Sequence, residues 1–384
     1  MARTPREIMD ADWMRPKYSR TLAAHDLLHT DRSRERYSKG APVMRILLSN
    51  VCIRAGAHFT GRYLTSGCPL QVLCSILILV GIQGCSTGTN RTEVILKGHT
   101  SGVDAVAFSA DGQILASAGT DCAIRLWEVP TGNERAVLQG HTDAVWGIAF
   151  SPDGNTVASA SRDGTVKLWN VATGQVLNTL RCHTGWVRSV AFLRDGRALL
   201  SAGSEGTLRL WNLANGEGRT FGEQESSCWT MALAPDGKLL ATASEDGSVS
   251  IWDVATESKL ATYPGNLICV ATIAFTPDSQ RLAASRLDGT VKLWDVLAGK
   301  EPVIFRAHDA NAKAVAFSPD GRMLATGDSD GTIHLWDAAT LASRGTLKGH
   351  THGISSLVFA PRGQTLASGS WDKTVRLWDL SIDE

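Results

Sequence analysis

The stretch from Gly140 to Trp169, GHTDAVWGIAFSPDGNTVASASRDGTVKLW, decides the fold because close variants of it occur seven times along the chain. Each copy ends on an aliphatic residue followed by tryptophan, and successive closing tryptophans are 41 or 42 residues apart. They are Trp127, Trp169, Trp211, Trp252, Trp294, Trp336 and Trp378. A fixed period of about 40 residues indicates that one small structural unit is repeated around or along the molecule.

Each unit carries the signals of four short strands. In the second unit, apolar and β-branched runs predict strands near Val145–Phe150, Thr156–Ser161, Val166–Trp169 and Val176–Leu180. Pro152-Asp153-Gly154 and Asp163-Gly164 provide the backbone angles that tight turns require. The unit is therefore predicted to be a four-stranded antiparallel sheet.

The repeat, with Gly-His near its start and Trp-Asp at its end, resembles the WD-repeat family over roughly residues 92–379. The resemblance implies an all-β fold, a seven-bladed β-propeller of four-stranded antiparallel blades. The propeller domain is expected to span residues 92–384. Only six residues follow Trp378, too few for the last strand, whereas Thr92–Lys97 precedes the first Gly-His. We therefore expect residues 92–97 to complete the last blade and close the ring.

The same resemblance implies a buried, hydrogen-bonded set of His, Ser or Thr, Asp and Trp within a blade. Four blades have complete sets: His99, Ser117, Asp121 and Trp127; His141, Ser159, Asp163 and Trp169; His308, Thr326, Asp330 and Trp336; and His350, Ser368, Asp372 and Trp378. A His–Asp–Ser group can also be a hydrolytic triad, but a triad occurs once, in a cleft, and not at four equivalent positions. We therefore interpret these sets as structural.

Three neighbouring blades depart from the set. Glu205 replaces Asp in blade 3, Gln224 replaces His in blade 4, and blade 5 has Asn266 and Ala284 in place of His and Ser. Blades 4 and 5 are expected to be the loosest part of the ring because they lack these hydrogen bonds.

The first strand of each unit carries an interrupted apolar pattern. Counting from the Gly-His histidine or its equivalent, positions four and seven are apolar or small, and position nine is Phe in six units and Leu233 in the other. Strict alternation cannot join positions four and seven, so one extra residue must be inserted. This predicts a β-bulge near positions five and six, which directs positions three and five toward the mouth of the central channel.

Four tryptophans that do not close a repeat fall on this same face. With three cations at equivalent positions, they make a predicted partner-binding set: Trp146, Arg162, Trp186, Arg188, Trp229, Lys313 and Trp371. The WD-repeat resemblance implies that partners are contacted at such positions, and Trp and Arg are enriched at interaction hot spots. The alternative is that each tryptophan packs locally against neighbouring loops.

The region before the repeats has a different character. Residues 1–66 carry 12 Lys and Arg against 6 Asp and Glu, and are interpreted as a disordered tail or a non-native upstream extension. Residues 67–91 are a hydrophobic, signal-like segment and linker, whose apolar run is too short to span a bilayer. The segment resembles a bacterial lipoprotein signal in which Cys85 is lipidated, although Gln83 and the long preceding region disagree. The alternative is an uncleaved anchor or a segment of no consequence.

The composition limits the classes of ligand that the chain is expected to bind. The chain after residue 66 carries 26 Lys and Arg against 32 Asp and Glu, which argues against nucleic-acid binding. The cysteines show no metal-type spacing, and Cys122, Cys182, Cys228 and Cys269 are interpreted as free thiols. No metal or cofactor is expected.

The predicted function is a non-catalytic, monomeric scaffold that binds a protein or peptide on the Trp- and Arg-rich face. If Cys85 is lipidated, the protein is anchored to a membrane outside the cytoplasm. One alternative is a cytosolic subunit of a larger complex. Another is a small-ligand or hydrolytic propeller using Asp104 and Glu245 at the channel mouth, which the uniformly short connections disfavour.

Overall fold

The computed structural model describes residues 93–181, 183–296, 298 and 300–381. The basic segment 1–66, the hydrophobic segment and linker 67–91 with Cys85, and Cys182 lie outside the described residues. No helix in the part of the chain that is described has the length and apolar character needed to cross a bilayer.

The described residues form 28 β-strands, of which β1 (Glu93–Lys97) precedes the first blade. In each blade the strands are called a, b, c and d in chain order. Blade 1 comprises β2 (Val103–Phe108), β3 (Ile114–Gly119), β4 (Ile124–Glu128) and β5 (Glu134–Leu138). Blade 2 comprises β6 (Val145–Phe150), β7 (Thr156–Ser161), β8 (Thr165–Asn170) and β9 (Val176–Arg181). Blade 3 comprises β10 (Val187–Phe192), β11 (Ala198–Gly203), β12 (Thr207–Asn212) and β13 (Gly218–Glu223).

The remaining blades follow the same plan. Blade 4 comprises β14 (Cys228–Leu233), β15 (Leu239–Ser244), β16 (Val249–Asp253) and β17 (Ser258–Tyr263). Blade 5 comprises β18 (Val270–Phe275), β19 (Arg281–Arg286), β20 (Thr290–Asp295) and β21 (Val303–Arg306). Blade 6 comprises β22 (Ala312–Phe317), β23 (Met323–Asp328), β24 (Thr332–Asp337) and β25 (Ser343–Lys348). Blade 7 comprises β26 (Ile354–Phe359), β27 (Thr365–Ser370) and β28 (Thr374–Asp379), with β1 as its fourth strand.

The seven sheets form a closed ring. Each is an antiparallel sheet of four strands, and the a strands of successive blades contact one another. The a strand of blade 7 contacts that of blade 1, so no blade is left without a neighbour on either side. The predicted all-β, seven-bladed propeller is confirmed.

The ring is closed by β1, as the short C-terminal remainder predicted. β1 pairs antiparallel with β28, in a register that runs from Glu93 opposite Trp378 to Lys97 opposite Thr374. Leu96 is only 2% exposed, and Glu93 accepts a 2.8 Å hydrogen bond from the Arg376 guanidinium. Blade 7 therefore contains both ends of the repeat region, and its outer edge is covered.

The hydrophobic core is divided into layers between blades. The described residues contain seven apolar clusters, and each combines residues from two adjacent blades. In one of them Ala116 and Leu126 of blade 1 pack with Val157 and Trp169 of blade 2. Because every blade contributes to two layers, the loss of one blade would expose apolar surface on both its neighbours.

The predicted β-bulge occurs in all seven a strands. In each, the pairing with strand b passes from position four to position six and skips position five. The skipped residues are Asp104, Trp146, Arg188, Trp229, Ala271, Lys313 and Ser355. The bulge thus fixes which side chain in each blade is displaced from the regular ladder.

The turns follow from their Asp and Gly residues. In the a–b turn of blade 1, Asp111 accepts hydrogen bonds from the Ser109 hydroxyl at 2.6 Å and the Gln113 amide at 3.0 Å. Gly112 then takes a left-handed φ of 71°. In two b–c turns the left-handed position is filled instead by Cys122 and Lys373, with φ of 64° and 72°.

The closure can be tested within β1 itself. We expect Leu96→Ala to lower the free energy of unfolding by about 2–4 kcal/mol, because a fully buried leucine side chain is lost from the layer between blades 7 and 1. Ile95→Ala removes a side chain that is 38% exposed in the same strand and is the matched control. Urea unfolding of both variants in the full chain measures the difference; equal losses would contradict a closing role for β1.

Candidate functional site

The face of the ring that carries the d–a connections and the b–c turns is called the upper face. In blade 2, His141 lies in the d–a connection and Asp163 in the b–c turn, and their side chains are 2.7 Å apart. Since the two connections meet at one end of each sheet, their side chains lie together on the upper face. The opposite, lower face carries the a–b and c–d turns.

The predicted set of blade 2 forms one continuous hydrogen-bonded chain. The Trp169 indole N–H donates to the Ser159 hydroxyl at 2.8 Å, and Ser159 and the His141 Nε2 are 2.7 Å apart. If His141 Nδ1–H donates to Asp163, its Nε2 accepts the Ser159 hydroxyl proton, so each group is satisfied. The same arrangement occurs at His99 and His350, with distances of 2.7–3.1 Å.

In blade 6 the expected carboxylate is wrong. His308 Nδ1 lies 3.0 Å from Asp328 and not against Asp330, although its Nε2 contacts Thr326 at 2.7 Å as predicted. Asp328 ends strand b, where the other blades have Gly, Ser or Arg, and its carboxylate also accepts the backbone amides of Asp330 and Thr332. Asp330, the residue at the predicted spacing, is exposed to solvent, and the histidine Nδ1 contacts Asp328 in its place.

Blade 3 completes its set with a glutamate. His183 contacts both Glu205 and Ser201, and Trp211 donates to Ser201 at 2.8 Å. The longer side chain still reaches the histidine, but its Oε2 is buried without a hydrogen-bond partner. Two opposed effects act on the pKa of Glu205. Burial raises it, but the hydrogen bonds from His183 and Thr207 outweigh burial and bring the pKa down to about 2.

Blades 4 and 5 use other polar contacts. In blade 4 Trp252 still donates to Thr242 at 2.9 Å, while Gln224 accepts a hydrogen bond from Ser244 and its amide nitrogen is buried without a partner. In blade 5 Asn266 accepts a hydrogen bond from Arg286. The expectation that these two blades are the loosest stays a prediction.

The correction in blade 6 yields a matched pair of variants. We expect Asp328→Asn to lower the free energy of unfolding at pH 7 by about 1–3 kcal/mol, because the histidine loses a buried charged partner. Burial raises the pKa of Asp328, but His308 and the Thr332 amide lower it below the ordinary value of 3.8. The stabilisation is therefore present above pH 4 and lost as the pH falls, so the difference from wild type should shrink in acid.

Asp330→Asn removes the same charge two residues away and is the control. It should leave the melting temperature unchanged at every pH, since the Asp330 carboxylate is exposed. Thermal unfolding of both variants between pH 3 and pH 7 checks this prediction, and a larger effect of Asp330→Asn would restore the original assignment.

Three of the predicted partner-binding tryptophans gather around one arginine. The guanidinium carbon of Arg188 lies 4.2 Å from the ring centroid of Trp146, 4.1 Å from that of Trp229 and 5.5 Å from that of Trp186. Trp146 and Trp186 also meet edge to face, with centroids 5.5 Å apart. Blades 2, 3 and 4 thus contribute to a single cluster, which we call the indole cluster.

Arg162 lies at the edge of this cluster. Its guanidinium is 4.8 Å from the ring of Trp186 and 3.7 Å from the Asp143 carboxylate. Trp186 is 42% exposed, whereas Trp146 and Trp229 are partly buried. The cluster therefore has a packed centre and an accessible rim.

The remaining two predicted residues meet elsewhere on the upper face. The ammonium of Lys313 lies 4.6 Å from the ring centroid of Trp371, whose N–H donates to Asp104 at 3.3 Å. Burial raises the pKa of Asp104 to about 7, against the opposing hydrogen bond from Trp371. Burial also lowers the pKa of Lys313. The seven predicted residues thus form two groups on one face, one centred on Arg188 and the other on Trp371.

Two features of the site were not predicted from the sequence. The regular spacing of 22 residues pointed to Asp330 and not to Asp328 as the partner of the histidine. The only indication in the sequence was that Asp328 is acidic, at the end of strand b. The stacking of Arg188 between tryptophans of the flanking blades had a weak signal, since all three residues hold position five. Within the described residues, no three His, Cys, Asp or Glu side chains are placed to bind a metal ion.

Two protein-family models match the repeat region of the chain. The family model described as IFT122 first beta-propeller matches residues 118–339, more than half of the chain. The model described as WD domain, G-beta repeat matches residues 90–128 and 342–379, which lie on either side. No curated protein matches the chain.

Proposed function

Because the chain belongs to the WD-repeat family of β-propellers, which commonly mediate protein–protein interaction, we propose that it is a non-catalytic scaffold whose upper face binds a protein or peptide. The observation that carries this proposal is the indole cluster. Trp146, Trp186 and Trp229 come from three separate blades, yet all three surround the guanidinium of Arg188.

The cluster has the composition of an interaction hot spot. Tryptophan and arginine contribute large contact areas and are the residue types most enriched where binding energy concentrates. An indole exposed to the extent of Trp186 leaves apolar surface in water that a partner could cover. Local packing explains the positions of Trp146 and Trp229, but it leaves the rim formed by Trp186 uncovered.

The buried hydroxyls support the non-catalytic part of the proposal. Ser117, Ser159 and Ser368 are each 0% exposed and accept an indole N–H. A nucleophile must reach its substrate, and these hydroxyls lie inside blades with their hydrogen bonds already made. The ring also closes within one chain, which is the basis for proposing a monomer.

We expect Trp186→Ala to weaken capture of the partner without unfolding the ring, because the indole lies at the accessible rim. Leu177→Ala removes a 56% exposed side chain from β9 on the outer wall and is the matched control. Affinity capture from a lysate of the native cells, followed by mass spectrometry, compares the two variants with wild type. Partners retained equally by all three, at unchanged melting temperatures, would contradict the proposal.

A membrane tether through Cys85 is compatible with the geometry of the ring. β1 begins at the lower face, because it runs antiparallel to β28, which ends there. The linker after Cys85 would therefore join the propeller on the side opposite the indole cluster. We propose that a lipid on Cys85 anchors the protein to a membrane.

Metabolic labelling with palmitate tests the tether. Label on the wild-type chain that is absent from Cys85→Ser, together with release of the variant from the membrane fraction, is the expected result. Cys269→Ser is the control for thiol loss elsewhere. Absence of label on the wild type would favour the alternative, a cytosolic subunit of a larger complex.

A further inference from the structure

Arg188 is a half-buried cation that has no ion pair among the described residues. In the described part of the chain, no carboxylate lies within ion-pairing distance of its guanidinium, and its Nε is buried without a hydrogen-bond partner. The two arginines with the least exposed surface differ from Arg188 in having an ion pair, although the Nε of Arg376 is also buried without a hydrogen-bond partner. Arg286 pairs with Asp288 at 3.4 Å, and Arg376 pairs with Glu93 at 2.8 Å.

The charge itself persists despite the burial. Burial lowers the pKa of Arg188 to about 10, which still leaves the guanidinium protonated at neutral pH. The faces of the surrounding indoles attract it, but they neutralise no charge. A charged group that is partly shielded from water and has no counter-ion interacts more strongly with an anion than a fully hydrated one does.

The neighbouring charges do not provide that anion. Glu245 is exposed and acts on Arg188 only at longer range. Asp104 is the acidic residue at position five of blade 1, but burial raises its pKa to about 7, so it carries only part of a negative charge at neutral pH. Lys313 adds a second cation that has no ion pair in the described residues. Arg188 and Lys313 are therefore two cations on the upper face without an ion pair in the described residues.

The shape of the site selects the kind of anion. Trp146 and Trp229 approach the guanidinium from the blades on either side, at 4.2 and 4.1 Å, so its N–H edge is the part left for a ligand. That edge presents paired donors whose spacing matches the two oxygens of a carboxylate. The exposed Trp186 beside it offers apolar surface for the rest of a peptide.

We propose that the indole cluster recognises an acidic segment of a protein partner, with an Asp or Glu carboxylate accepting hydrogen bonds from the edge of Arg188. This rests on the proposed function and adds the chemistry of its ligand. Arg188 is the residue that selects the partner, and the tryptophans exclude water from the contact and hold the guanidinium in place.

The test uses the full chain and an immobilised peptide library with randomised flanks around a central Glu, Gln, Lys or phosphoserine. Wild type should bind peptides with central Glu and bind their Gln twins about thirtyfold or more weakly, as for a desolvated charge pair. Arg188→Met should abolish this preference while keeping its melting temperature, since the methionine side chain can stay between the indoles. Arg188→Lys should bind more weakly than wild type because it lacks the two-pronged edge.

Arg322→Met is the control, because Arg322 is an exposed cation in an a–b turn of the lower face. It should bind Glu peptides as wild type does. Equal binding of Glu and Gln peptides, a preference for Lys or phosphoserine, or an unchanged preference in Arg188→Met would overturn the proposal. Cellular partners lost by Trp186→Ala but kept by Arg188→Met would reject the acidic ligand while leaving the scaffold function standing.

Discussion

The structure depends on one contact that six of the seven blades share, in which a buried hydroxyl in strand b accepts the indole N–H of the closing tryptophan. In blade 2 the Ser159 oxygen accepts the indole N–H of Trp169 and contacts His141, which in turn holds Asp163. One hydroxyl thus ties strand b to strand c and to both connections of the upper face. The tryptophan so fixed packs into the layer shared with the neighbouring blade. The hydrogen bond within the blade therefore also supports the packing between blades. An unpaired indole or hydroxyl in such a layer would lower the free energy of unfolding.

Regular backbone features could be read from the sequence because they repeat. The interval between tryptophans predicted the blades, the missing last strand predicted that residues 92–97 complete the last blade, and the skipped apolar position predicted the bulge. Side-chain choices at single positions could not be read in this way. Asp328 and Asp330 are both acidic and both within reach of His308 in sequence, and only the geometry at the end of β23 decides between them. The gathering of three indoles around Arg188 depends on the curvature of the ring and on rotamers, neither of which has a period.

The bulge links the rigid ring to its variable mouth. It displaces one residue per blade from the ladder without disturbing the residues on either side, so position five tolerates Asp, Trp, Arg, Ala, Lys and Ser in the same backbone. The core positions of the same strands stay apolar or small. A family built this way can change what it binds by substituting seven side chains, while the layers between blades remain as they are.

The pairing of β1 with β28 also determines how the protein would respond to a pulling force. Glu93 and Trp378, the first and last partners of this pair, lie at the same end of the two strands. Tension between the amino and carboxyl sides of the ring would act on that end first and separate the strands one hydrogen bond at a time, as a zipper opens. Such a geometry yields at a lower force than one in which all the bonds are sheared together. A propeller held by one end and loaded at the other would therefore open at blade 7, and the other six blades would be exposed to force only afterwards.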